Sequence, residues 1–402
     1  MTTVQRADHE VRSYPFGPPD RLEPHPMYEY LREHEPLSRV RLPYGEEAWL
    51  VVRHADVKTV LSDPRFSRAA ALNRDQPRVT PNAPALGIMD MDPPEQTRLR
   101  RLVAAAFTAR RVELLRPTAQ RIADDLLDHL IEARPPADLV EGFGLPLPIA
   151  VICELLGVPY VDRAEFRLWS QALMSTTALS PEQRGSYIGN LSAYMARLVE
   201  QRRREPTDDL LSALVAARDQ QDRLTEEELI FLAVGLLAAG HETTSNQIPN
   251  SVYVLLTYPD QMDLLRGNPQ LIFRSVEELM RYIPLTAGAT VPRYATEDVE
   301  LSSGTVPAGD PVFASRSAAN RDPAVFDDPD RLDITRDPNP HVGFGHGVHH
   351  CLGAPLAKME LQVALGALLR RVPGLRLAVD DKHVQWKSGM FLRGPQALPI
   401  TW

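Results

Sequence analysis

The feature that most constrains the fold is a stretch of about 34 residues, 225–258, that reads as one helix. It opens with Thr225 and Glu228, the spacing of a capping box, and runs to Tyr258 before a proline. At ~1.5 Å per residue, such a helix is about 50 Å long. Its first half, LIFLAVGLLAAG, is apolar on every side, which predicts a helix buried through the middle of the molecule. Pro249 removes one backbone hydrogen bond, so we expect a kink or break there.

The remaining sequence predicts a mainly α fold with small β-sheets. Helical periodicity dominates residues 95–280, and short strands and loops follow beyond 284, with one more helix from Leu352 to Val372. The chain has 402 residues and shows no repeat or linker-like tract, so we expect a single domain over 1–402 with no fused reductase. Its 36 prolines gather in turns and loops rather than indicating disorder.

Charge and cysteine content exclude several classes of protein. The net charge of −9 argues against a nucleic-acid partner. The first twenty residues have no apolar core of a signal peptide, and the longest apolar run, 229–240, is shorter than the ~20 residues of a membrane span. Only two cysteines occur, Cys153 and Cys351, which does not fit a secreted disulfide framework. We therefore expect a cytoplasmic protein with no membrane anchor.

The strongest local signal is FGHGVHHCLG, residues 344–353. Its glycines allow a tight backbone and a close approach to a flat ligand. Cys351 precedes a predicted helix, whose N-terminal N–H groups favour a thiolate. A thiolate in such a loop suits the axial ligand of a haem iron. Cys153 lies among apolar neighbours at helical spacing and is interpreted as a buried core thiol.

The same loop leaves a zinc site open as an alternative. His341, His346, His349, His350 and Cys351 fall within 11 residues, and such clusters can bind zinc. Their spacing matches none of the usual paired ligand patterns. A zinc-dependent hydrolase therefore remains the weaker hypothesis.

The loop resembles the signature F-G-x-G-x-H-x-C-x-G of the cytochrome P450 family, the haem-thiolate monooxygenases. Every fixed position is met, by Phe344, Gly345, Gly347, His349, Cys351 and Gly353. The resemblance extends over essentially the whole chain. It implies a triangular-prism fold with a large helical lobe and a small β-rich lobe, haem b ligated by Cys351, and electrons from NAD(P)H through ferredoxin and ferredoxin reductase. A haem-thiolate sensor or carrier without oxygenase activity is a further alternative.

AGHETT, residues 239–244, lies on the predicted buried helix. A carboxylate is costly to bury unless it is paired or used, so Glu242 points to a function. The resemblance implies an acid–alcohol pair in which Glu242 relays protons and Thr243 hydrogen-bonds the bound oxygen. Ala239 and Gly240 would leave room for dioxygen. A sensor or carrier would not need this pair, which favours a monooxygenase.

Two further groups of polar residues are implied by the resemblance. Glu278, Arg281 and Arg331 would form a buried structural triad. The haem propionates would be held by Arg100, Arg293 and His349, with Gln96 where related bacterial enzymes usually have histidine.

The resemblance also suggests where partner and substrate bind. Six arginines stand between Arg98 and Arg116, and Arg101, Arg110 and Arg111 are candidates for docking an acidic ferredoxin. Several runs resemble actinobacterial enzymes that hydroxylate or epoxidise macrolides and other polyketides. Family analogy places seven small or apolar candidates in the substrate pocket: Ile88, Met89, Val234, Ala238, Ala289, Thr290 and Phe391.

Overall fold

The chain forms a mainly helical structure with small sheets, which confirms the predicted fold class. The computed structural model describes residues 10–17, 21–82, 87–159, 162–219, 224–288 and 291–402. The helices are α1 Met27–His34, α2 His54–Ser62, α3 Glu95–Ala104, α4 Ala109–Glu132, α5 Pro146–Leu156, α6 Arg163–Met174, α7 Pro181–Arg204, α8 Leu210–Asp219, α9 Glu226–Thr257, α10 Pro259–Gly267, α11 Ile272–Tyr282, α12 Arg316–Ala319 and α13 Ala354–Arg371.

The strands are short. They are β1 Arg12–Ser13, β2 Leu37–Arg41, β3 Ala48–Val51, β4 Phe66–Ser67, β5 Ala137–Asp138, β6 Arg293–Ala295, β7 Val299–Leu301, β8 Gly304–Val306, β9 Pro311–Ala314, β10 Arg376–Leu377, β11 Gln385–Trp386, β12 Pro395–Ala397 and β13 Pro399–Thr401. The chain divides into two compact units: the first holds 1–85, 288–330 and 340–350, and the second holds 86–287, 331–339 and 351–402.

The first unit is built on a six-stranded sheet in the order β1-β2-β3-β9-β6-β4. Strand β3 lies inside this sheet, antiparallel to β2 and parallel to β9. Successive side chains of a strand point to opposite faces. Trp49 and Val51 accordingly join one apolar cluster, with Val57 of α2, while Ala48 and Leu50 join another. The sheet is therefore covered by apolar packing on both faces.

The second unit is helical and is organised around α9. This helix packs against α5, α6, α7, α8, α10 and α13 within the unit. Two small sheets complete the unit, one in the order β10-β13-β5 and one formed by β11 and β12.

The N-terminus of α9 has the predicted capping box. Thr225 Oγ1 accepts a hydrogen bond from the Glu228 N–H at 3.1 Å, and Glu228 Oε2 accepts from the Thr225 N–H at 2.8 Å. Pro249 does not break the helix, because α9 continues to Thr257. Among the described helices, none is both long and apolar enough to cross a membrane.

Candidate active site

Cys351 lies at the N-terminal end of α13 in the second unit. Its carbonyl accepts a hydrogen bond from the N–H of Ala354, the first residue of the helix. The partial positive charge of an 18-residue helix favours a thiolate at this end. Neither cysteine forms a disulfide, and only Cys351 is exposed. Cys153 is fully buried in α5, as expected for a core thiol.

The loop before the cysteine belongs to the first unit and depends on two glycines. Gly345 and Gly347 have φ of +76° and +71°, which glycine adopts without strain. A Cβ on Gly347 would lie 2.6 Å from the Leu61 carbonyl oxygen and 2.7 Å from Ser62 Cα. The loop therefore packs directly on the end of α2. Gly353 differs, since its φ is −82° and a Cβ there would meet nothing within 4 Å.

One stripe of α9 is open although most of the helix is buried. Phe231, Gly235 and Ala239 are exposed at intervals of four residues, and Thr243 continues the stripe with partial exposure. Residues at i and i+4 share one face of a helix. A flat apolar cofactor with a thiolate ligand requires a thiol that can reach it and an apolar surface to pack on. The second unit has both: the exposed thiol of Cys351 and the open, largely apolar face of α9. The residues present therefore fit a haem.

Gly240 has a packing role, and its predicted role toward dioxygen stays a prediction. A Cβ at this position would lie 2.5 Å from Ile152 Cδ1 on α5. Glycine is therefore required here for the close packing of α9 against α5. The open position on the stripe is Ala239, whose carbonyl accepts a hydrogen bond from Thr243 Oγ1 at 2.9 Å.

Glu242 is buried and hydrogen-bonded inside the second unit. Its Oε1 accepts from the Ser170 hydroxyl of α6 at 3.0 Å and lies 3.2 Å from His241 Nε2. Burial acts to raise the pKa of Glu242, but hydrogen bonds and positive charge at His241, the Ser170 hydroxyl and the charge of Lys387 together hold its pKa below the ordinary value. The groups around Glu242 thus favour its ionised form. No motif in the sequence marks Ser170 or Lys387, which lie 72 residues before and 145 residues after Glu242 along the chain.

The four candidate propionate partners are divided between the two units. Gln96 and Arg100 lie one turn apart on α3 in the second unit, Gln96 fully buried and Arg100 half-buried. Arg293 lies at the start of β6 in the first unit, where Nη1 donates to the Phe66 carbonyl at 3.3 Å. His349 lies in a 3₁₀ turn of that unit, Gly347–His349. Their role toward a propionate stays a prediction.

The predicted triad needs one correction. Arg281 donates from Nε and Nη2 to the two carboxylate oxygens of Glu278, each at 2.8 Å, with both side chains fully buried. The third guanidinium is that of Arg336, whose Nε lies 3.2 Å from Glu278 Oε2. Arg331 contributes its carbonyl, which accepts from Arg281 at 3.1 Å, while Arg331 itself is exposed. The prediction of Arg331 as the third side chain is therefore wrong.

A local turn explains the exchange of arginines. Asp333 Oδ1 accepts from the Thr335 N–H at 2.9 Å, and the Asp333 N–H donates to Glu278 Oε1 at 2.9 Å. This turn holds the backbone of residues 331–333 against Glu278 and returns Arg336 toward the same carboxylate.

The substrate candidates occupy different environments. Ile88 and Met89 lie in the 3₁₀ turn Gly87–Asp90, where Met89 is 47% exposed. Val234 and Ala238 are buried on α9. Phe391 links two segments by its backbone, with its N–H donating to Met174 and its carbonyl accepting from Ala287. Ala289 and Thr290 lie outside the described residues. Contact of these residues with substrate stays a prediction.

The zinc alternative is not supported. Among the described residues, no three His, Cys, Asp or Glu side chains are arranged to hold a metal ion. The histidine-rich loop is instead partly buried and packed on α2.

Comparison with known proteins agrees with this geometry. The Cytochrome P450 family model matches residues 183–373. Mycinamicin IV hydroxylase/epoxidase of Micromonospora griseorubida is 54% identical, covering 98% of this chain and 99% of the relative. Nocardicin C N-oxygenase of Nocardia uniformis subsp. tsuyamanensis is 55% identical with the same coverage. The crystal structure of the LnmA cytochrome P450 hydroxylase of Streptomyces atroolivaceus superposes with a TM-score of 0.92 at 56% identity, covering 98% of this chain and 100% of that one.

These likenesses extend over nearly the whole chain and decide between the hypotheses. They confirm the resemblance and the family fold, and they do not support the sensor, carrier and hydrolase alternatives. The protein belongs to the cytochrome P450 family and is a haem-dependent monooxygenase that draws electrons from NAD(P)H through redox partners.

Proposed function

We propose that this monooxygenase hydroxylates or epoxidises a large, mostly apolar molecule of the macrolide or polyketide type. The observation that carries the proposal is the end-to-end likeness to mycinamicin IV hydroxylase/epoxidase. The open stripe of α9 formed by Phe231, Gly235 and Ala239 supports it, because it offers aromatic and small apolar contacts. N-oxygenation is the second candidate, since nocardicin C N-oxygenase is equally similar.

A panel of ligands tests the substrate class. Macrolides, ansamycins, steroids and nocardicin C are titrated into the ferric holoprotein, and binding is followed as a shift of the Soret band. We expect macrolides to give the largest shift at the lowest concentration. A shift given by nocardicin C alone would replace the macrolide proposal by the N-oxygenation candidate.

We assign Cys351 as the residue that would ligate the haem iron, and Arg100, Gln96, Arg293 and His349 as residues that would hold the propionates. The bound haem would supply the activation of dioxygen, which thiolate donation favours. Cys351→Ala is expected to abolish the haem-thiolate absorbance of the reduced, carbonyl-bound protein. Cys153→Ala is the matched control, because its thiol is buried in α5 and should leave that absorbance intact. An unchanged band in Cys351→Ala would refute the assignment.

Thr243, on the open stripe of α9, and the buried Glu242 beside it are proposed to deliver protons. The Thr243 hydroxyl donates to the Ala239 carbonyl and keeps two lone pairs to accept another hydrogen bond. Glu242 lies next to it in sequence as a carboxylate held in place by Ser170. Thr243→Ala should lower the yield of product per NAD(P)H consumed, whereas Thr243→Ser should keep it. Full coupling in Thr243→Ala would remove the proton-delivery role.

Ferredoxin is proposed to dock near Arg101, Arg110 and Arg111. All three are exposed, and no ion pair to any of them occurs among the described residues. Elsewhere in the same arginine-rich run, Arg98 pairs with Glu228, and Arg116 pairs with Glu113. Three uncompensated positive charges on a chain of net charge −9 favour an acidic partner at this surface.

Charge reversal tests the docking surface. Arg110→Glu combined with Arg111→Glu should slow electron transfer from ferredoxin, with a weaker dependence on ionic strength than wild type. Reduction by dithionite should be unchanged. Equal rates of electron transfer from ferredoxin in variant and wild type would refute the proposal.

We also propose a cytoplasmic location, since both cysteines are outside disulfides, as expected in a reducing compartment.

A further inference from the structure

His241 lies between two acceptors that together fix where its protons are. Its Nδ1 is 2.8 Å from the Leu237 carbonyl oxygen, which can only accept, so we assign a hydrogen to Nδ1. Its Nε2 is 3.2 Å from Glu242 Oε1 and 2.9 Å from Ser170 Oγ. Both side chains of the His241–Glu242 pair are almost completely buried, so water does not separate them.

Hydrogen-bond geometry then favours one proton shared by the pair. If His241 were neutral with its hydrogen on Nδ1, Nε2 could accept from the Ser170 hydroxyl at 2.9 Å, but its lone pair would also face Glu242 Oε1 at 3.2 Å, and two acceptors repel each other. A proton on Nε2 resolves this conflict. The Nε2–H donates to Ser170 Oγ and Glu242 Oε1, and the Ser170 hydroxyl donates to Glu242 Oε1 at 3.0 Å. The three side chains form a closed ring, as buried polar groups require.

The charged groups around the ring are consistent with an ion pair. Lys387 faces Glu242 from the segment after β11 and donates to Asn246 Oδ1 at 2.8 Å. Burial lowers the pKa of Lys387, and the carboxylate of Glu242 opposes this change. Arg167, one turn before Ser170 on α6, forms an ion pair with Glu141 at 2.6 Å nearer the surface. A negative charge on Glu242 is thus matched by the nearby cation of Lys387, while Arg167 is neutralised by Glu141.

We propose that His241 is the proton store of Glu242: its imidazolium holds one proton at Nε2 that passes to Glu242 Oε1 during turnover. In that transfer the Nε2–H bond breaks and the Oε1–H bond forms, leaving a neutral imidazole and a carboxylic acid. After Glu242 gives its proton up, a hydronium ion from solvent reloads Nε2 and leaves water. His241 acts as a positioning residue, because it acts through Glu242. The inference rests on the proposed role of Glu242 in proton delivery.

The proposal is tested without turnover by measuring whether His241 and Glu242 together hold one proton, and on which residue. The reduced, carbonyl-bound holoprotein is prepared with ¹⁵N-histidine for NMR and ¹³C-glutamate for infrared spectroscopy. The His241 and Glu242 signals are assigned by their loss in His241→Gln and Glu242→Gln. At pH 7 we expect an imidazolium nitrogen signal together with an ionised carboxylate. A neutral imidazole beside an ionised carboxylate, or protons on both groups, would overturn the proposal.

Replacing the imidazolium of His241 by a neutral side chain should raise the pKa of Glu242, because burial then acts without an opposing charge from His241. An opposite charge at this distance lowers a carboxyl pKa by about 1–3 pH units. In His241→Gln the pKa of Glu242 should therefore rise, seen as growth of the protonated-carboxyl band at higher pH. Ser170→Ala keeps the imidazolium and should give a smaller rise. No rise in His241→Gln would show that His241 does not carry the charge.

Steady-state kinetics of His241→Gln distinguishes a residue that supplies a proton to Glu242 from one that only donates a hydrogen bond to it. His241→Gln can still donate to Glu242 but has no proton to release, so kcat should fall about tenfold or more with KM nearly unchanged. The fall should shrink at high pH, where hydronium no longer reloads His241 in the wild-type protein. Wild-type kcat and pH profile in His241→Gln would overturn the proposal. Phe166→Leu is the packing control, since its ring lies 5.2 Å from His241 and makes no hydrogen bond to it.

The two levels of proposal fail differently. If Glu242 has no role in proton delivery, Glu242→Gln turns over like wild type, whatever the proton count in the resting protein. If the store is wrong, the proton count differs from one while Glu242→Gln still impairs turnover.

Discussion

Glu360 on α13 provides a stability test that follows from burial. The side chain is 1% exposed, and among the described residues no well-formed hydrogen bond reaches either carboxyl oxygen. Burial raises the pKa of Glu360 well above its ordinary value, and the nearby Thr244 hydroxyl opposes this only in part. The native protein therefore holds this proton at a pH where the unfolded chain has released it.

The sign and slope of the effect follow from linkage. Above the ordinary Glu value of 4.5, the native state binds one more proton than the unfolded state at this position. The free energy of unfolding therefore falls with rising pH, by about 1.4 kcal/mol per pH unit, until the raised native pKa is reached. Glu360→Gln has nearly the same shape and no proton to lose. Its advantage over wild type should grow with pH at that rate.

Denaturant unfolding of the holoprotein at several pH values from 5 upward measures this difference. Glu154→Gln is the matched control, because Glu154 is exposed on α5 and its substitution should shift stability equally at every pH. Parallel pH curves for wild type and Glu360→Gln would refute the reasoning, since they would mean that Glu360 ionises in the native state as it does in the unfolded chain.

Three further predictions concern packing and use the denaturant midpoint of the holoprotein. Arg336→Met should cost about 1.5–3 kcal/mol because it removes a charged hydrogen bond to buried Glu278, whereas Arg331→Met should stay within about 0.5 kcal/mol; equal losses would contradict the corrected triad. Gly347→Ala should cost about 1–3 kcal/mol through overpacking and should also weaken haem retention, and a neutral result would contradict the close approach. Thr225→Ala should cost about 1 kcal/mol by removing the cap, while Thr225→Ser should not.

Local sequence rules predicted the elements that depend on neighbouring residues. The cap of α9 falls at Thr225 as expected, because a capping box is formed by residues three apart. The predicted helix over 352–372 appears as Ala354–Arg371. The motif around Cys351 was recognisable for the same reason, since its residues are adjacent in sequence.

The parts that depend on tertiary contacts could not be read from sequence. Arg331 and Arg336 lie five residues apart in one loop, and only the turn at Asp333 decides which guanidinium reaches Glu278. Ser170 contacts Glu242 from 72 residues away, with no motif to mark it. The need for glycine at position 240 also depends on tertiary structure, because the side chain of Ile152 on another helix leaves no room for a Cβ there.

Pro249 shows how two distant residues form one packing unit. A proline inside a helix costs about 3 kcal/mol or more when nothing offsets it, yet α9 continues through this position for eight more residues. A Cβ on Gly144, in the π-helical turn Val140–Gly144, would lie 3.1 Å from Pro249 Cδ, so the glycine makes the room that the proline ring occupies. Gly144→Ala should therefore destabilise the protein more in the wild-type background than in Pro249→Ala, with a coupling of about 0.5–3 kcal/mol in a double-mutant cycle. If the two substitutions prove additive, the ring does not depend on the missing side chain, and other packing around α9 must be what stabilises the helix at Pro249.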